Sequence, residues 1–162
     1  MHYLIKKVIN YHFIRPFYEM IKLEEYLRIC NTTSLINKSF KKVTNPKFSI
    51  ITPILNKSRT IQRYIRSIQN QTFKNIEIII IDDYSTDNTI KMIENLQKQD
   101  KRIILLKNKK RKGTLMTKNI GVYKSKGEFL LFVDPDDIIS ENILIFFLIL
   151  NTKYEIKFIK LF

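Results

Sequence analysis

Residues Ile76–Asp83 read "IEIIIIDD": five isoleucines around one glutamate, closed by two aspartates. Nothing in the run has a helical period, and it is too apolar for a strand with one wet face. Short runs of this kind suit strands buried on both faces, as in a parallel sheet. On either side of it, "FSIITPI" (Phe48–Ile54), "RIILL" (Arg102–Leu106) and "EFLLFV" (Glu128–Val133) have the same character. Between them the spacing changes. Ile61, Ile65 and Ile68 follow Ser58, a candidate N-cap. Ile90, Ile93 and Leu96 follow Ser85 and Thr86, and Met116, Ile120 and Tyr123 form a third stripe that stops near Gly127. Strand alternating with helix predicts right-handed crossovers and an α/β fold, a mostly parallel sheet sandwiched by helices.

The chain has 162 residues, enough for one domain with a real core; 44% are hydrophobic and 27% charged. Its net charge of +14 fits nucleic acid, a membrane surface, an anionic small substrate, or plain Lys-rich composition. One cysteine, Cys30, excludes an internal disulfide and reads as a buried thiol in a reducing compartment. His2 and His12 have no ligand-spaced companions for zinc. Lys6, Lys7 and Arg15 break up the N-terminal apolar residues, so no signal peptide is expected. The longest apolar run, "ILIFFLIL" (Ile143–Leu150), is far short of the ~20 residues that span a bilayer. These features predict a soluble chain, cytoplasmic by default and with membrane association still open.

Residues 1–46 differ in character from the rest of the chain. Phe17, Met20, Ile21, Leu23, Leu27 and Ile29 predict a helical N-terminal extension, and residues 31–46 a connector closed by Pro46. The second unit, 47–162, holds the alternating elements. After Asp137 a buried helix is expected from near Ser140, then a strand over Tyr154–Phe162.

Ligands of doubly wound sheets bind at the carboxyl ends of the strands. Two of the four strong strands end in acids here: Asp82 and Asp83, then Asp134, Asp136 and Asp137. The first ends in Thr52-Pro53 and leads to Asn56. These groups should converge on one crevice. Carboxylates this close repel unless something positive joins them. An oxygen-only cluster suits a hard divalent cation, Mg²⁺ or Mn²⁺, which also binds phosphate oxygens. The competing reading is that the acids cap the helix near Ser140.

In order and spacing, "FSIITPILN", "SIQNQTFKNIEIIIIDDYSTDNT", "DKRIILLKNKKRKG" and "TKNIGVYKSKGEFLLFVDPDD" resemble the family 2 nucleotide-sugar glycosyltransferases of the GT-A fold. The resemblance runs from Phe48 to about Ile139 and on toward Phe162. It implies a Rossmann-like GT-A sheet cut short after the Asp-x-Asp region, which is a donor-binding half with little acceptor half. It further implies that the segment at Pro53 lines the nucleotide, that Asp83 bonds the base (commonly uracil) with Asp82 as companion, and that Asp134 and Asp136 are the family's Asp-x-Asp. Asp136 would be the most direct ligand of Mn²⁺ or Mg²⁺. The implied partners are a nucleoside diphosphate sugar donor and an acceptor that is a glycan, protein or lipid.

Two positions depart from the family pattern: Leu55 replaces an aromatic, and Lys118 stands where Arg is common, keeping the charge but not the bidentate fork. The acids after Asp137, Glu141 and Glu155, sit in no convincing motif, so no general base is assigned. The basic run Lys107–Lys112 reads as a solvated loop, with diphosphate or an anionic acceptor as its alternative. The reaction implied is metal-dependent sugar transfer to a hydroxyl, with a UDP-linked donor by family habit; the alternative is a nucleotide-sugar-binding module without turnover. A phosphoacceptor receiver domain also gathers acids at strand ends, but "DPDD" and the lack of a suitably placed Lys argue against it. An acidic crevice argues against nucleic acid.

Overall fold

The computed structural model describes residues 7–10 and 45–154. Five parallel strands form one sheet: β1 (Lys7–Asn10), β2 (Phe48–Ile54), β3 (Ile76–Asp82), β4 (Ile103–Lys107) and β5 (Phe129–Phe132), in the order β1-β5-β2-β3-β4. The helices are α1 (Ile61–Gln69), α2 (Thr89–Gln99), α3 (Thr114–Lys124) and α4 (Ile143–Tyr154). All seven residues of β2 and all seven of β3 are buried, as a sheet covered on both faces requires.

The pleat sends alternate residues to opposite faces. Phe48, Ile50, Ile54, Ile78, Ile80, Phe129 and Leu131 join α1, α2 and α4 in the larger core. Ile51, Ile79, Ile81 and Leu130 form a smaller cluster with Ile120 and Val122 of α3. In α4, Ile143–Leu148 are buried all round, and Phe147 meets the rings of Phe48 and Phe129 edge-on. On the smaller side α3 comes very close: a Cβ on Gly121 would collide with Ile51 Cγ2. The expected stripe of α3 is therefore displaced. Thr117 and Gly121 face the sheet, while Met116 and Tyr123 point outward.

Other differences are local. The N-terminal extension, expected to be helical, contributes strand β1 beside β5, while the helical stretch Phe17–Ile29 and Cys30 lie outside the described residues. Tyr154 ends a helix rather than opening a strand, and residues 155–162 also lie outside. Thr60, not Ser58, precedes α1, and Asn88 precedes α2; neither side chain caps. Asp87 serves instead, its Oδ1 accepting from Thr89 N at 3.0 Å and its Oδ2 from Ser58 N at 3.2 Å. The bond from Ser58 ties the loops after β2 and β3 together.

The chain steps from β2 to β3 to β4 in one direction and crosses back to place β5 on the other side of β2. The carboxyl ends of β2 and β5 thus flank the reversal of strand order, where a crevice must open.

Candidate functional site

Four loops meet at that crevice, which has a volume of about 460 Å³. Pro53 and Ile54 line it from the end of β2, Leu55 and Lys57 from the loop that follows, Asp83 from just past β3, Arg111 and Gly113 from the loop after β4, Thr114 from the start of α3, and Asp134, Pro135, Asp136 and Asp137 from the turn after β5. Asp83 and Asp136, 53 positions apart in sequence, share one hollow. The turn after β5 closes through Asp137 N donating to Asp134 O at 3.1 Å.

The acids after β3 part company. Asp82 bends back and accepts from Tyr84 N at 3.2 Å and Ser85 N at 3.1 Å, so it shapes the turn and does not line the crevice. That turn holds Tyr84 at φ +77°, a left-handed conformation that costs a bulky residue energy. Asn56 is also left-handed, at φ +52°, and its Oδ1 accepts from Thr86 N at 2.8 Å.

Asp83 faces the crevice, yet it is nearly buried and firmly engaged. Its Oδ1 accepts from Lys112 N at 2.8 Å and Asn108 Nδ2 at 2.9 Å, and its Oδ2 from Gly113 N at 2.8 Å. Burial would raise this carboxyl, but the hydrogen bonds outweigh it and hold the group below the usual carboxylate range. Gly113 makes the bond from φ +84°, where glycine alone is unstrained. The basic run, read from sequence as a solvated loop, is therefore pinned at its end to Asp83, and Arg111 lines the hollow.

Asp134 and Asp136 are the more open acids, at 54% and 60% side-chain exposure. Each faces an ammonium from a different element. Lys57 Nζ donates to Asp136 Oδ2 at 3.1 Å, and Lys118 Nζ of α3 lies 3.7 Å from Asp134 Oδ1 and 5.6 Å from the centre of the Phe132 ring. Behind them, Tyr64 of α1 is buried against the hydroxyl of Thr52, and burial pushes its phenol well up, with the charges of Asp134 and Asp137 adding to the effect.

Among the described residues, no three His, Cys, Asp or Glu side chains cluster closely enough to hold a metal unaided. The two exposed carboxylates still fit a hard divalent ion that takes one or two protein carboxylates and completes its shell with phosphate oxygens and water. The chain already sets a cation beside each of them, in the form of Lys57 and Lys118. Helix capping is not what these two acids do: the carboxylates of Asp134 and Asp136 turn to lysines of other elements.

Sequence reasoning missed Lys57, while Arg111 fell within the basic run whose place near an anionic group was only the alternative reading. Lys57 follows Asn56 directly, but its partner lies 79 residues on, and only the fold brings them together.

The model of the glycosyl transferase family 2 matches residues 49–145. A GalNAc(5)-diNAcBac-PP-undecaprenol β-1,3-glucosyltransferase of Campylobacter jejuni is 45% identical over 93 residues, which is 57% of this chain and 30% of that protein. A UDP-Glc:α-D-GlcNAc-diphosphoundecaprenol β-1,3-glucosyltransferase of Escherichia coli is 43% identical over 89 residues, 55% of this chain and 35% of that one. The chain thus spans about a third of the length of these curated relatives. Among solved structures, Staphylococcus aureus TarS (1-349) in complex with UDP-GlcNAc superposes with a TM-score of 0.64 at 28% identity, over 67% of this chain and 32% of that one.

Proposed function

From the premise that the chain belongs to glycosyl transferase family 2, we propose that its crevice receives a UDP-linked sugar and that the protein transfers the sugar to an acceptor hydroxyl. The observation that carries this reading is the convergence of Pro53, Asp83, Asp134 and Asp136 on one hollow at the reversal of strand order. The relatives act on UDP-glucose or on diphosphoundecaprenol-linked glycans by name, which supports a UDP donor and a lipid-linked acceptor here. The TarS complex with UDP-GlcNAc supports the same donor class.

In this reading the base lies between Pro53 and the Asp83 loop, with the diphosphate toward the turn after β5. Asp83 accepts three hydrogen bonds and has limited capacity left for a base, so its main effect is to fix the loop that carries Arg111. Asp134 and Asp136 would hold Mn²⁺ or Mg²⁺. When bound, such an ion supplies a Lewis acid against the charge that grows on the departing diphosphate. Lys57 and Lys118 keep the two carboxylates compensated before the donor arrives and are placed to turn toward phosphate oxygens afterwards. Arg111 adds a third positive group at the same hollow.

The alternative reading is a donor-binding module without turnover: Pro53, Asp83, Asp134 and Asp136 account for a donor and not for an acceptor. UDP release from a panel of UDP-sugars, with a diphosphate-linked lipid as acceptor, tests the two. Acceptor-dependent release supports transfer. Tight UDP-sugar binding with no release supports the module, and absence of both removes the donor site altogether.

A further inference from the structure

The charge of this chain is not evenly laid out. From Lys101 to Gly127 there are ten lysines and arginines and no acid, and all 15 of the chain's acids lie outside that stretch. Some of these cations are spoken for: Arg102 pairs with Asp100, Lys107 with Glu94, and Lys118 with Asp134. Lys109 to Met116 is different, since all eight of its residues are exposed. It presents four consecutive cations in Lys109, Lys110, Arg111 and Lys112, then Gly113, Thr114, Leu115 and Met116.

Leu115 is 73% exposed, Met116 54% and Tyr123 84%, the largest exposures among the hydrophobic residues of α3. At about 100° per residue, Leu115, Asn119, Tyr123 and Met116 fall within one arc of roughly 100°, opposite Thr117 and Gly121. The placement has a cause in packing. Gly121 lets the helix sink onto Ile51 and Ile81, which commits that side to the sheet and turns Leu115, Met116 and Tyr123 outward. An exposed apolar face bordered by clustered cations matches the chemistry of a bilayer surface, where anionic headgroups meet acyl chains. A nucleic acid would account for the cations but gives no role to leucine and methionine beside them.

We propose that the loop Lys109–Lys112 and the outer face of α3 rest on an anionic lipid surface. Lys109 and Lys110 meet headgroup phosphates, and Leu115, Met116 and Tyr123 enter the boundary with the acyl chains. Arg111 and Thr114 of the same segment line the crevice, so contact with lipid holds the crevice at the membrane surface. At 11 residues α3 is too short to cross a bilayer, so the proposed contact lies on the surface.

The test is sedimentation of the full chain with vesicles of phosphatidylcholine alone and of equimolar phosphatidylcholine and phosphatidylglycerol, at low and high salt. The variants are Lys109→Gln/Lys110→Gln and Leu115→Ser/Met116→Ser. All four positions are exposed, and unchanged thermal unfolding checks that the fold is kept. Binding to the anionic vesicles alone is expected, weakened by salt and reduced roughly tenfold by each double substitution. Equal binding to neutral vesicles overturns the proposal, as does a Leu115→Ser/Met116→Ser protein that binds as tightly as wild type. Binding of single-stranded RNA with none to vesicles also overturns it and assigns the cations to nucleic acid.

Discussion

Carboxylates stand at both ends of the sheet, and the chain treats them in opposite ways. At the amino end Glu77 is buried, and its Oε1 accepts from Ser49 Oγ, from Lys126 N at 2.6 Å and from Gly127 N at 3.2 Å. Gly127 N also donates to Ser49 Oγ at 2.8 Å, and a Cβ on Gly127 would lie 2.6 Å from Ser49 N. The donors are backbone amides and a short hydroxyl, fixed in place as soon as β2, β3 and β5 align. At the carboxyl end Asp134 and Asp136 are more than half exposed, and their partners are the tips of two lysines. A carboxylate held by fixed amides is part of the scaffold. A carboxylate held by flexible ammonium groups can exchange one cation for another, since an exposed pair of this kind is worth little to stability.

The contrast predicts that substitutions at one end change stability and at the other change ligand affinity. Glu77→Ala takes the buried acceptor from Ser49 Oγ and loosens Lys126 N, while Gly127 N keeps Ser49 Oγ, and is expected to cost about 2 kcal/mol, read as a fall in the denaturant midpoint. A loss below about 0.5 kcal/mol would mean that the amino end is no firmer than the carboxyl end. Gly121→Ala drives a methyl into Ile51 and Ile81 and should cost about 2 kcal/mol by the same measurement. It separates backbone approach from buried charge as the source of rigidity.

Lys57→Met probes the carboxyl end. It removes the ammonium that competes for Asp136, so Mn²⁺ alone should bind a few-fold tighter, by roughly 1 kcal/mol or less, with unfolding unchanged. Weaker Mn²⁺ binding in this variant would show that Lys57 orients the carboxylate instead of competing for it. The smallest effect is expected in acid. Asp87 is held down to about 2, burial opposing and the bonds from Thr89 and Ser58 prevailing. Its folded value lies below its unfolded one, so its contribution is present above about pH 4 and fades as the pH falls toward 2. Asp87→Asn should flatten that part of the curve of unfolding midpoint against pH.

The sheet was legible because its strands are short apolar runs, two of them closed by acids, and because four strands alternating with helical spacings admit few topologies. The stripe of α3 was misread because Gly121, apolar by size alone, lets the helix approach the sheet where Met116 or Tyr123 would have held it off. Asp134, Asp136 and Asp83 stood out as acids at strand ends, and the fold brings all three to the crevice. Asp82 was expected as the companion of Asp83, and backbone direction separates them, one side chain turning to its own loop and the other to the loop after β4. Lys57 was invisible because a lone lysine after a turn has no sequence signal for a partner 79 residues away. The basic run was underestimated for a related reason: lysine clusters are common on surfaces, and Asp83's hold on Lys112 and Gly113 is a tertiary fact.

The donor site itself is best put to the test by titration calorimetry of UDP with and without Mn²⁺, on wild type and on Asp136→Ala. Wild type should bind UDP about tenfold or more tightly when Mn²⁺ is present, and Asp136→Ala should lose that gain while unfolding at the wild-type temperature. Equal UDP affinity with and without the ion, or a gain that survives in Asp136→Ala, would rule out a shared cation at the end of β5.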